Sequence, residues 1–154
     1  MTPERTSRGS DVVVGVDGCR GGWIAAVLHP AKQHIAFQTF GAFPDLLAAF
    51  PAPVVIGVDV PIGLATGASR ACDIAARKLL GFPRSTSVFS APDRRIIECL
   101  TYDEANARSK ALTGKGISRQ TFGIRPKIAE FDAAMTPELQ KRVIEVHPEV
   151  SFWA

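Results

Sequence analysis

Apolar residues in this chain gather first in short β-branched runs and later at helical spacing. Val12-Val13-Val14-Gly15-Val16-Asp17 and Val54-Val55-Ile56-Gly57-Val58-Asp59 repeat one hexapeptide pattern, and Val143-Ile144-Glu145-Val146-His147 can be laid over both. Near-continuous apolar runs of this length suit strands buried on both faces of a parallel sheet. Between the first two runs lie two further strand-like segments, Gly22 to Leu28 and His34 to Phe40, separated by a turn containing Pro30. A meander of three antiparallel strands is predicted there. Pro44 and Asp45 then open a short helix through Phe50, and Pro51 and Pro53 end it.

From Pro61 to Arg142 the pattern changes to helices and loops. Ser69 is expected to cap a helix that Gly81 closes, with Ala71, Ile74, Ala75 and Leu79 near one side and Arg70, Asp73 and Arg77 on another. Thr101 with Glu104 makes a capping box for a helix ending near Gly114. Pro126 is expected to start a further helix whose Ile128, Phe131 and Met135 share a face. The reading is a mixed α/β chain.

With 154 residues, the chain has room for one ordinary domain over 11–154, preceded by a polar leader over 1–10. Hydrophobic residues make up 46% and charged residues 21%, which excludes a disordered, collagen-like or coiled-coil chain. Gly, Pro or a charge interrupts every apolar run before the roughly 18 residues a bilayer span needs, so no membrane partner is expected. Cys19, Cys72 and Cys99 are odd in number and lack a C-x-x-C pair. They suggest neither a disulfide framework nor a zinc site, and a cytoplasmic location fits them.

Net charge is +3, but its distribution says more. Ala68 to Lys127 holds twelve Lys or Arg against five Asp or Glu, while the remainder holds six against ten. A basic middle beside acidic flanks suits a protein that attracts a phosphate polymer and holds cations to cut it; a solvated helical surface gives the same arithmetic. Arg20, Arg70, Arg77, Arg84, Arg94, Arg95 and Arg119 are the candidates for tracking a nucleic-acid backbone, and each alone reads equally as a surface charge.

Side chains alternate across a strand, so Gly15 and Asp17 share a face, as do Gly57 and Asp59, and Glu145 and His147. Three strands thus end in acidic or imidazole groups, at the carboxyl ends where open α/β sheets bind ligands. Clustered carboxylates require a cation or a proton, and oxygen ligands favour Mg²⁺ or Mn²⁺. Asp17 and Asp59 then read as ligands for phosphodiester hydrolysis, against a plain loop-capping role. Glu145 fits either a metal ligand or the partner of an arginine. His147 fits a catalytic group or a hydrogen-bonded core histidine, and Glu149 a site carboxylate or an early-helix residue. The turn Gly18-Cys19-Arg20-Gly21-Gly22 can cradle a phosphate or close a hairpin.

GVDGCRGGW (15–23), GVDVPIGL (57–64), RACDIAARKLLG (70–81), VFSAPDRR (88–95), GISRQTFGI (116–124) and VIEVHPEVSFW (143–153) resemble a bacterial and archaeal family described as predicted RNase H-like nucleases. The resemblance implies a ribonuclease H-like fold with sheet order 3-2-1-4-5, Asp17 ending the first strand and Asp59 the fourth. Glu145 to Glu149 would lie on or just after the fifth, with 61–142 as a basic helical insertion between strands four and five. It further implies a family pattern that continues past Ala154 with another acidic motif, so the expectation is a form shortened at its C-terminus. The function expected is a metal-dependent nuclease acting on DNA or RNA. The competing expectations are a nucleic-acid-binding module without catalysis and an actin-like nucleotide-binding phosphotransferase.

Overall fold

A computed structural model describes residues 12–153; the 1–10 leader lies outside them. The strands are β1 (Val13–Cys19), β2 (Gly22–His29), β3 (His34–Phe40), β4 (Val55–Val58) and β5 (Val143–Glu145). The helices are α1 (Phe43–Ala49), α2 (Ala71–Leu80), α3 (Tyr102–Thr113), α4 (Arg119–Ala134) and α5 (Pro148–Ser151). The five strands form one open sheet in the order β3-β2-β1-β4-β5. The chain is therefore a mixed α/β protein with the sheet order 3-2-1-4-5. It divides into two compact units: the described residues through Val58 with Thr136–Ile144, and Asp59–Met135 with the described residues from Glu145 on.

The first unit is built on the meander. β1 and β2 pair antiparallel from Val13↔Leu28 to Cys19↔Gly22, leaving Arg20 and Gly21 as a two-residue turn. Gly21 takes a φ of 86°, a conformation that costs a residue without a Cβ little. The glycine-rich turn is thus a tight hairpin. Gly22 answers a different need, because a Cβ there would run into the carbonyl group of Phe40. β2 and β3 continue antiparallel, and β4 returns parallel to β1. α1 has Pro44 in its first turn with Asp45, whose charge suits the positive helix end. Phe43 of α1 meets Trp23 of β2 at 5.1 Å between ring centroids, and Val14, Val16, Ile56 and Val58 are buried. The Arg142 guanidinium donates to the Phe50 carbonyl at 2.8 Å, and Ile56 N–H donates to the Arg142 carbonyl at 2.8 Å.

Burial on both strand faces does not hold. Along β1 the pattern alternates, with Val14 and Val16 buried but Val13 47% exposed, and Val55 on β4 is 42% exposed. α1 covers one face of the sheet, whereas the repeat carries apolar side chains on both.

In the second unit Ile96, Cys99, Ala105 and Ile117 form a small core, joined by Tyr102, Leu112 and Phe122. α3 begins as its capping box requires, with Thr101 Oγ1 accepting from Glu104 N–H at 3.2 Å, and it ends at Gly114 in the left-handed region. α2 departs from its expected cap. Its N-cap residue is Arg70, not Ser69, and no side chain caps it. α4 starts at Ser118, whose Oγ accepts from Thr121 N–H at 2.9 Å, so Pro126 stands inside the helix instead of opening it. The ring removes one helical N–H, which leaves Phe122 without its usual donor; a serine cap and a buried Ile128 and Phe131 outweigh that loss.

Candidate functional site

The most densely connected polar cluster of the second unit centres on Arg70. Its Nη1 donates to Glu145 Oε2 at 2.8 Å and its Nη2 to Glu145 Oε1 at 2.6 Å, a bidentate pair linking positions 75 residues apart. Nη2 and Nε also reach Asp73 Oδ1 and Oδ2 at 2.5 and 3.3 Å. Arg70 and Asp73 are buried and Glu145 is partly so. Ile62 is held from both sides, since its N–H donates to Glu145 Oε2 at 2.8 Å and its carbonyl accepts from Arg70 Nη1 at 3.0 Å. One guanidinium thereby fixes two carboxylates and the segment that follows Asp59.

Burial by itself would push the Arg70 guanidinium down, but the hydrogen bonds and charges of Glu145 and Asp73 outweigh it, and its proton affinity ends above that of an ordinary arginine. Beside the cluster, partial burial pushes the Cys72 thiol up, with the Arg70 charge pulling the other way. Cys72, Asp73 and Glu145 offer ligand atoms within 4.8 Å of one another. Such a set could hold a metal ion, and the cation that lies between its carboxylates here is the Arg70 guanidinium. A cleft of about 640 Å³ opens next to them, lined by Cys72, Leu79, His147 and Val150 among others.

His147 Nδ1 is buried and lies 3.5 Å from Glu149 Oε2, too long for a good hydrogen bond. Glu149 is exposed in the first turn of α5. Its own backbone N–H, then the His147 and Ser87 side chains, hold its carboxyl below the usual range.

Asp17 is exposed at the end of β1, and its Oδ1 accepts from Gly18 N–H at 2.7 Å. Asp59 is also exposed. The β1–β4 ladder sets the two hexapeptides in step, Gly15 opposite Gly57 and Val16 opposite Val58. Asp17 is the next residue of β1, and Asp59 is the first residue after β4. A family model described as "Protein of unknown function (DUF429)" matches residues 15–154. The chain belongs to that family. No curated protein and no solved structure matches it. The DUF429 match begins at Gly15 and so takes in Asp17, the whole second repeat and the Arg70 cluster.

The seven candidate arginines fare unequally. Arg70 is spent on Asp73 and Glu145. Arg77 donates to the Val88 carbonyl at 3.0 and 2.5 Å and to Ser90 Oγ at 3.0 Å. Arg94 pairs with Asp132 at 2.6 Å, and Arg95 with Asp93 at 2.8 Å. Arg84 lies over the Trp153 ring at 4.5 Å and Arg119 over the Tyr102 ring at 4.3 Å, and both arginines are exposed. Arg20 is exposed in the β1–β2 turn.

Two acids that sequence reasoning did not single out prove central. Asp73 stands three residues after Arg70, and that spacing on a helix was the available signal. Asp93 is buried and accepts from Gly67 N–H at 2.6 Å, Arg95 N–H at 2.9 Å and the Arg95 side chain. Those bonds hold its carboxyl far below the usual carboxylate range, with the Arg95 side chain contributing most. No described helix is long and apolar enough to cross a membrane.

Proposed function

We propose that this chain is a divalent-metal-dependent phosphodiesterase acting on nucleic acid, built on a ribonuclease H-like sheet and working in the cytoplasm. The observation that carries the reading is the in-step parallel ladder, which runs Val13↔Val55 to Val16↔Val58 just before two aspartates. The sheet order 3-2-1-4-5 supports it, being the order the RNase H-like resemblance implies.

Asp17 and Asp59 would hold Mg²⁺ or Mn²⁺. The donor set fits a hard cation: both are exposed carboxylates, and among the described residues the hydrogen-bond partner of Asp17 is one backbone N–H, which leaves oxygen lone pairs for a ligand. When bound, such ions activate water and stabilise the leaving oxygen. The protein supplies position. Glu145 acts through Arg70 and Ile62 as a positioning residue for the segment after Asp59. Arg20, Arg84 and Arg119 are the arginines best placed to meet phosphate, because the others are engaged with carboxylates or carbonyls.

The test is cleavage of single-stranded, duplex and RNA–DNA hybrid substrates with Mn²⁺ or with chelator. Asp17→Asn and Asp59→Asn are each expected to lower the metal-dependent rate by about 100-fold or more, given the several kcal/mol a catalytic metal contributes. Unchanged rates in both variants would overturn the assignment.

A further inference from the structure

Within the second unit, residues of α2, α3 and the first turn of α4 line a cavity of about 490 Å³, in the size range of small-molecule sites. Its floor is apolar and buried, from Val88, Pro92, Ile96 and Ile117. Its rim is polar, with the hydroxyls of the exposed Ser69, Ser90 and Ser118. Phe89, 40% exposed, is the one aromatic side chain in the lining. Four lining residues carry charge, and the two signs differ in what they have left to offer. Asp73 and Asp93 have every oxygen bonded, to Arg70 and Ala91 N–H in one case and to Arg95 and Gly67 N–H in the other. Arg77 is held through Nε and Nη2, so its Nη1 is the edge without a partner among the described residues. Lys115 enters no described ion pair either. The turn that carries Lys115 is fixed: its carbonyl accepts from Ser109 Oγ at 2.8 Å, and a Cβ at Gly116 would run into the Asn106 carboxamide.

We propose that this cavity binds a nucleoside monophosphate, with its base against Phe89 and the apolar floor and its phosphate at Lys115 and Arg77. Lining residues and their ion-pair partners together set four cations, Arg70, Arg77, Arg95 and Lys115, against three carboxylates, so the charge the cavity lacks is negative. An ammonium and a preset guanidinium edge suit phosphate oxygens. Ser90 Oγ accepts from Arg77 and keeps its own O–H to donate. Ser118 and Thr121 bring the positive end of the 16-residue α4 to the same cavity. A flat base on the Phe89 ring supplies the apolar part of the match. A neutral sugar would leave Lys115 and Arg77 without an anion, and an inorganic anion would leave Phe89 and the floor in water. The inference does not rest on the nuclease reading, since neither Asp17 nor Asp59 lines the cavity.

Isothermal titration of the whole chain with adenosine 5′-monophosphate, with chelator present so that no cation at Asp17 or Asp59 contributes, is expected to give a Kd of about 10–100 µM. Adenosine and inorganic phosphate each carry one part of the ligand and should bind at least about tenfold more weakly. Lys115→Ala removes an exposed side chain and keeps the main-chain bonds of the turn, so the circular dichroism spectrum should not change. It should weaken the nucleotide by about tenfold and leave adenosine unaffected. Phe89→Ala should weaken the nucleotide by about tenfold and leave inorganic phosphate unaffected. A free nucleotide and the phosphorylated end of a strand present the same chemistry. A short 5′-phosphorylated oligonucleotide that binds more weakly than the mononucleotide assigns the cavity to the free ligand, and one that binds more tightly, with the same dependence on Lys115, assigns it to the strand end. No binding up to about 1 mM nucleotide, adenosine or phosphate binding as tightly as the nucleotide, or binding indifferent to both substitutions overturns the proposal.

Discussion

The two units treat their carboxylates in opposite ways. In the sheet unit Asp17 is exposed, with a single backbone N–H on one oxygen. In the helical unit Asp73 and Asp93 are buried, Glu145 is half-buried, and each is gripped by an arginine. Taking a carboxylate out of water costs several kcal/mol, and a bidentate guanidinium with backbone donors offsets that cost only while every partner is in place. An acid held in this way is structural, because its lone pairs and its charge are already spent. Exposure leaves Asp17 paying no such cost and open to a ligand. Within the basic middle segment, Arg70, Arg94 and Arg95 each pair with an acid of the same unit.

The sharpest way to break this comparison is to remove the cation from the buried cluster. Arg70→Met leaves Asp73 buried without its partner and Glu145 without its bidentate bonds, and the expected loss of stability is about 3–5 kcal/mol. Chemical denaturation followed by circular dichroism measures it. Arg70→Lys should recover only a part, since an ammonium keeps the charge but cannot present two parallel N–H groups to Glu145 while bonding Asp73. A loss below about 1 kcal/mol for Arg70→Met would place the pair among ordinary surface ion pairs and end the distinction.

Asp93 sharpens it along the pH axis. Its folded-state proton affinity is depressed, so the stability it contributes is present above the unfolded value of about 4 and is lost as pH falls towards the folded one. Thermal melts from pH 6 down to about 2 should therefore show a steep acid limb for the native chain. Asp93→Asn, which cannot ionise, should flatten that limb. At neutral pH Asp93→Ala leaves the Gly67 and Arg95 N–H groups unpaired and should cost about 2 kcal/mol. An acid limb equally steep in Asp93→Asn would assign the loss to other groups.

These differences were unequally legible in the sequence. The repeated hexapeptide showed where strands β1 and β4 lie, and both ends of α3 followed from cap residues alone, whereas the glycine-rich turn fitted a phosphate cradle as well as a hairpin. Such features depend on neighbours within a few positions. The Arg70–Glu145 pair bridges 75 residues, and no local pattern marks which of many arginines meets which acid. The start of α4 was misplaced for a related reason: Pro126 is a strong signal in isolation, yet a serine cap and buried residues on both sides override it. The exposure of Val13 and Val55 was also beyond reach. Both looked like part of a covered interior because alternation tells only which side chains share a face, not whether anything lies against it.

The smallest expected effect is the one that bears most directly on the contrast. Asp17→Asn retains an oxygen for the Gly18 N–H and removes a charge that no arginine grips, so stability should stay within about 0.5 kcal/mol of the native chain. Denaturation at neutral pH, without added metal, reads this directly. The same substitution at a structural acid would cost several times more, as Asp93 illustrates. A large loss at Asp17 would show that the strand-end carboxylate is also part of the scaffold, and exposure would then no longer separate the acid available to a cation from those that hold the fold.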